Sequence, residues 1–147
     1  MSTNVETLKI QKNGTMKLAR TYTLATIGTG KPGRAGEIDP STDKIILATG
    51  VTSGRFKGLI VEETTASEDQ KKISILADEA EVNVDNDSLE SGITFTNSAA
   101  VYHNAAGDLT ATSGTGNRMG TALATLISNS GSNLTMLTRA AEEIAND

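Results

Sequence analysis

Cysteine and tryptophan are absent from the 147 residues, and two phenylalanines with two tyrosines bring the aromatic share to only 3%. Without cysteine there is no disulfide, no thiolate metal site and no cysteine nucleophile. With so few rings the core has to be built from Ile, Val, Leu, Ala and Met, which bury less area per side chain than Phe or Trp. A thin core follows, one that leans on contacts between subunits. The same shortage counts against nucleic acid, whose single strands stack on aromatic platforms, and against sugars, whose sites present an aromatic face beside polar groups. One histidine, His103, is present. It has no partner triad visible in the sequence, so a packed or hydrogen-bonded side chain is expected in place of a general base.

No apolar run approaches the roughly 20 residues of a membrane span, and MSTNVETLKI lacks the basic and apolar regions of a secretory signal. The expectation is a soluble protein made in the cytosol, with no membrane partner. At this length the chain reads as one domain.

Charge is unevenly spread. Residues 1–34 carry six basic residues against the single Glu6, a net of +5, whereas the remaining seven basic and seventeen acidic residues give −10. The chain therefore divides into a basic N-terminal arm or hairpin, 1–34, and an acidic β-rich body, 35–147. Such an arm suits either its own or a sister body, or an acidic outside partner.

Within the arm, Asn13-Gly14 is a hairpin signal. A three-residue loop of Lys12, Asn13 and Gly14 would pair Ile10 with Met16 and Leu8 with Leu18, and set Lys9 across from Lys17. That apolar face is too small for a lone two-stranded hairpin to be stable in water. We therefore expect the arm to dock by adding its backbone to a sheet edge, with Leu8, Lys9, Ile10, Met16, Lys17, Leu18, Arg20 and Tyr22 as its partner-binding residues.

The glycines from Thr23 to Gly36 do not make a phosphate-binding loop, because Pro32 follows the lysine where Ser or Thr is needed. Asp39 to Asp43 reads as a turn. Lys44 to Thr49 is a continuous apolar run, expected to be a central strand buried on both faces. Phe56 to Val61 is the next strand, and Ser67 to Gln70 allows one turn of helix or a loop. Ile73, Ile75 and Ala77 share one face, and Ala80, Val82 and Val84 another. Asp85 to Glu90 reads as an exposed acidic turn, since it lacks the sixth-position glycine and twelfth-position glutamate of a calcium loop. Leu134 to Thr138 is a closing strand, followed by a helical stripe of Leu137, Ala140, Ala141 and Ile144.

From Gly92 to Leu126 the chain reads as a meander of short strands: Ile93 to Phe95, Ala100 to His103, Leu109 to Thr112 after the turn Ala106-Gly107-Asp108, and Met119 to Leu126. The fold class expected is mainly β, a small barrel- or sandwich-like domain of about eight to ten short antiparallel strands with at most short helices.

The succession of a glycine-led strand, a "VY" strand, "GDLTAT" and "GTALA" resembles the C-terminal half of the head-decoration (capsid cement) proteins of tailed bacteriophages. GRFKGLIVEE and KKISILADEAEV resemble that family's central strands, so the resemblance covers residues 44–138. It implies a virion protein on the outer capsid surface, a homotrimer whose partner is the major capsid protein. No catalytic, cofactor or metal residue can be named from the sequence, and no small-molecule substrate; the expectation is not an enzyme. A tail-tube or head-completion subunit is the alternative, for which the Glu6 to Tyr22 hairpin could join an inner sheet. A carbohydrate- or peptide-binding sandwich is a more distant one.

Overall fold

The computed structural model describes residues 9–13, 20–23, 32–51, 54–62, 72–128 and 130–145. Strands make up 45% and helical pieces 7%, so the protein is mainly β, as expected. Among the described residues there are thirteen strands, more than expected because several are only two residues long. In chain order they are β1 (Lys9–Asn13), β2 (Arg20–Thr23), β3 (Ala35–Asp39), β4 (Lys44–Leu47), β5 (Phe56–Ile60), β6 (Lys72–Leu76) and β7 (Ala80–Val84). They continue as β8 (Thr94–Phe95), β9 (Ala100–His103), β10 (Leu109–Thr110), β11 (Arg118–Ala122), β12 (Leu126–Ile127) and β13 (Leu134–Thr138), before the short helix α1 (Ala141–Ala145).

The strands form a six-stranded sheet in the order β1-β7-β13-β11-β9-β10, a five-stranded sheet β2-β6-β5-β3-β4, and the pair β12-β8. Every strand pairing is antiparallel. Alternation places the core as the sequence indicates: Ala80, Val82 and Val84 of β7 point inward with Leu134 and Met136 of β13, while Glu81, Asn83 and Thr135 are half-exposed on the other face.

The larger core fills the space between the two main sheets, from Phe56, Leu59 and Leu76 on one side to Val82, Val101 and Met136 on the other. A second cluster of Ile45, Ile60, Ile73 and Ile75, flanked by Ile38 and Leu47, lies on the opposite face of the five-stranded sheet. A sheet can bury both faces when it curls on itself, and Cα atoms of its two edge strands, β2 and β4, come within 8 Å. Ile73 and Ile75 therefore face one cluster while Ala80, Val82 and Val84 face the other, as expected. Ala77, however, expected on the face of Ile73 and Ile75, lies beyond the end of β6 in the turn to β7 and packs against the larger cluster.

Local turn chemistry also holds. Asp39 Oδ1 accepts from the Ser41 amide at 2.9 Å and Oδ2 from the Thr42 hydroxyl at 3.2 Å, closing the β3–β4 turn. Asn104 Oδ1 accepts from the amides of Ala106 and Asp108, and Gly107 takes φ +80° between them. Asp85 caps a single 3-10 turn, Asn86–Ser88, in the acidic segment, where Ser88 is nevertheless buried and donates to the Pro32 carbonyl at 2.9 Å.

Three further expectations fail. Lys44 to Leu47 is an edge strand in which only Ile45 is fully buried; its apolar run serves the curl of the sheet, not a central position. Strands 92–126 are not a sequential meander, because β11 pairs on the far side of β9 from β10, and β8 leaves the sheet to pair with β12. Leu137 does not belong to the helical stripe: it lies in β13 with its side chain outward, while Ala141 and Ile144 are buried in α1. β13 itself is interior to its sheet, between β7 and β11. The Ser67 to Gln70 segment and the glycines from 24 to 30 lie outside the described residues.

Candidate interaction site at the sheet edges

Of the eight arm residues expected to bind a partner, Lys9 and Ile10 lie in β1, and Arg20 and Tyr22 in β2. Leu8, Met16, Lys17 and Leu18 lie outside the described residues. Lys12 and Asn13, assigned to the loop of the expected hairpin, are instead residues of β1, and β1 and β2 belong to different sheets. The expected pairs of Ile10 with Met16 and Leu8 with Leu18 involve residues outside those described.

Each strand pairs with a neighbour far along the chain. β1 runs antiparallel to β7, with Lys9 opposite Asn83, Ile10 opposite Val82 and, after a bulge, Lys12 opposite Glu81. β2 runs antiparallel to β6, with Arg20 opposite Ile75 and Tyr22 opposite Ile73. β6 turns into β7 through Ala77 to Glu79, so β2 and β1 flank the two strands that meet at this corner. Among the described residues each is the outermost strand at its end of its sheet.

The physical reason lies in the register. In a self-paired hairpin Lys9 would face Lys17, and the apolar residues would have only each other. Against the corner, Ile10 sits opposite the fully buried Val82, and Lys12 sits opposite a half-exposed carboxylate. The corner is clasped from within by Thr138, whose hydroxyl accepts from the Ala80 amide at 2.9 Å and lies 2.7 Å from the Asp78 carbonyl. Helix α1 begins where the Ala141 amide donates to the Ala77 carbonyl. Within the single chain, the two described strands of the arm thus pair with β7 and β6 of the body.

Away from the arm, a polar seam joins the two sheets. Glu37 on β3 is wholly buried, and its carboxylate accepts from the Thr49 amide at 2.6 Å, from the Thr49 hydroxyl at 3.1 Å and from the Arg55 guanidinium. His103 on β9 stacks on Phe56 of β5. Its Nδ1 lies 2.9 Å from the Asn104 carbonyl, to which it donates, and its Nε2 accepts from the Asn117 amide at 3.0 Å. Burial pushes the imidazole below its ordinary range, against the hydrogen bond to Asn104 and the charge of Glu37. The histidine is thus packed and hydrogen-bonded, as the sequence indicated.

Nearby, the turn before β10 docks on β3 through the Ala35 amide and the Gly107 carbonyl, 2.8 Å apart. Burial raises the Asp108 carboxyl, with the Arg34 charge opposing and that of Glu90 adding. Burial likewise lowers Arg34, opposed by Asp108. The sequence reading missed Glu37, Arg55 and Asn117. Only Glu37 left a sign, a carboxylate set between Gly36 and Ile38 in an otherwise apolar stretch.

Among the described residues no group of three or more His, Cys, Asp or Glu side chains is placed to hold a metal. No helix among them is long and apolar enough to cross a membrane. No family model matches the chain, and no curated protein sequence matches it significantly.

Proposed function

We infer that the chain is a structural assembly protein, and specifically a head-decoration (capsid cement) subunit of a tailed bacteriophage. On this reading it sits on the outer capsid surface as a homotrimer and bridges neighbouring units of the major capsid protein. The observation that carries the reading is that β1 and β2, the two described strands of the basic N-terminal segment, are each the outermost strand at one end of their sheet among the described residues. An outermost strand can take up a further strand through its main-chain donors and acceptors.

Further support comes from the resemblance over 44–138, whose "VY" segment lies in β9 and whose "GTALA" segment begins in β11. A tail-tube or head-completion subunit is the alternative reading, for which a hairpin from Glu6 to Tyr22 could join an inner sheet.

Solution mass and negative-stain images of the purified protein test the proposal. A concentration-independent trimer that co-sediments with undecorated phage heads is the expected result. Rings or tubes would favour the tail-tube reading, and a monomer that ignores the heads would sink both.

A further inference from the structure

We propose that His103 makes the junction between the two sheets an acid-sensitive latch, in which protonation of one buried ring releases the loop from Thr112 to Asn117. This inference stands on the hydrogen bonds of the ring and is independent of what the protein binds.

The ring can serve its present partners in one protonation state only. Nδ1 faces the carbonyl of Asn104, so it carries the proton. Nε2 faces two donors of Asn117, the backbone N–H at 3.0 Å and Nδ2 at 2.9 Å, so it must present its lone pair. A second proton, on Nε2, would point at both donors.

The Asn117 side chain could turn its amide oxygen toward the new N–H, but the backbone N–H cannot turn. It would stay buried without its acceptor, since Asn117 is only 5% exposed. Turning the amide also gives up the Nδ2 contact with the Gly50 carbonyl, which ties this loop to the segment that follows β4. Side-chain relief on one side is therefore a loss on the other.

The surroundings leave the ring little room to escape. A Cβ at Gly116 would collide with the His103 carbonyl and with the ring itself, so loop and imidazole are in closest packing. The Thr115 hydroxyl donates to the same carbonyl at 3.1 Å. On the other face the ring lies parallel to Phe56, a residue of the opposite sheet.

Charged groups on the packed elements are Glu37 on β3, Arg55 and Lys57 around Phe56, Asp108 before β10, and Arg118 at the start of β11. Of these the Glu37 carboxylate favours the imidazolium, but it is already paired with Arg55. Desolvation is the larger influence and favours the neutral ring.

The sign follows. A histidine that stays neutral when folded contributes fully above the unfolded value of about 6.5. As the pH falls below that value the unfolded chain takes up a proton that the folded one refuses. The folded-to-unfolded ratio then drops by up to about tenfold per pH unit, until the folded ring itself titrates and the latch opens.

The experiment is a pH titration of the whole chain followed by nitrogen and proton resonances of the single imidazole and of the Asn117 amide. The expected result is a ring midpoint below 6.5, with the Nε2 lone-pair tautomer above it and loss of the Asn117 amide's hydrogen-bonded shift at the same midpoint. A ring that titrates at or above 6.5, or an Asn117 amide that does not move with it, overturns the proposal. Urea unfolding of His103→Gln, which keeps an acceptor but cannot titrate, provides the second measurement. It should lack the loss of stability that the parent shows between pH 6.5 and 5.5, and an equal loss in both would refute the latch.

Discussion

The imidazole of His103 and the ring of Phe56 lie parallel, with centroids 6.1 Å apart and 6° between their planes. One comes from each main sheet, so this contact spans the interface where the larger core lies. Phe56 is also one of only two phenylalanines in the chain, and both are fully buried. In a core otherwise made of aliphatic side chains, each ring carries an unusual share of the buried area.

Replacing Phe56 by Ala should therefore cost about 3–5 kcal/mol, the range for emptying an aromatic site in a packed core. Urea denaturation at pH 7 measures it. A loss under about 1 kcal/mol would mean that the two sheets close over the gap.

Removing Arg55 should expose how much Glu37 depends on it. The carboxylate is wholly buried while the Arg55 side chain is 42% exposed, so the arginine can return to water and the carboxylate cannot. Arg55→Ala should cost about 1.5–3 kcal/mol, below the figure for a fully buried pair because one partner is solvated. In a Glu37→Gln background the same change should cost much less, and a double-mutant cycle reads the difference.

Two glycines should respond oppositely to alanine. Gly58 has φ +129°, and a Cβ there would collide with the Leu76 carbonyl where β5 meets β6. Gly58→Ala should lose about 3 kcal/mol or more from strain and overpacking together. Gly50, with nothing within 4 Å of the added atom, should tolerate the change nearly unaltered. Thermal unfolding of the two variants side by side gives the contrast.

The arm's placement predicts a charge exchange. Lys12→Glu, opposite Glu81 across β1 and β7, should lower stability by about 0.2–1 kcal/mol at low salt and less at high salt. Adding Glu81→Lys should restore it. If the double variant is as weak as the single, the arm does not hold this register in solution.

Asp108 should give a pH dependence of the opposite sign to His103. Burial raises its folded value, so its favourable contribution is complete below the ordinary carboxyl value and is lost as the pH rises through the folded one. Asp108→Asn should thus gain stability relative to the parent as the pH increases from about 3.5 to 6. Unfolding curves across that interval would show the gap widening upward, and a constant gap would contradict the assignment.

Local pattern determined much of this molecule. Alternation in Ile73 to Leu76 and Ala80 to Val84 named the strands and their inward faces, because side chains in a strand repeat every two residues whatever the partner. Asp39, Asn104 and Gly107 made their turns because those side chains and that left-handed backbone act within a few residues of themselves. Partner choice was another matter. Glu6 to Tyr22 read as one local hairpin with Lys12 and Asn13 in its loop. Yet Lys9–Asn13 pairs with β7, which sets Val82 and Glu81 opposite Ile10 and Lys12, and Arg20–Thr23 pairs with β6, which sets Ile75 and Ile73 opposite Arg20 and Tyr22. The same holds for the edge position of β4 and the order β11-β9-β10, and for the burial of Glu37 beside Thr49 and Arg55. Each depends on which distant segment offers a core and a countercharge, and that is set by the closing of the sheets over one another, not by the residues next along the chain.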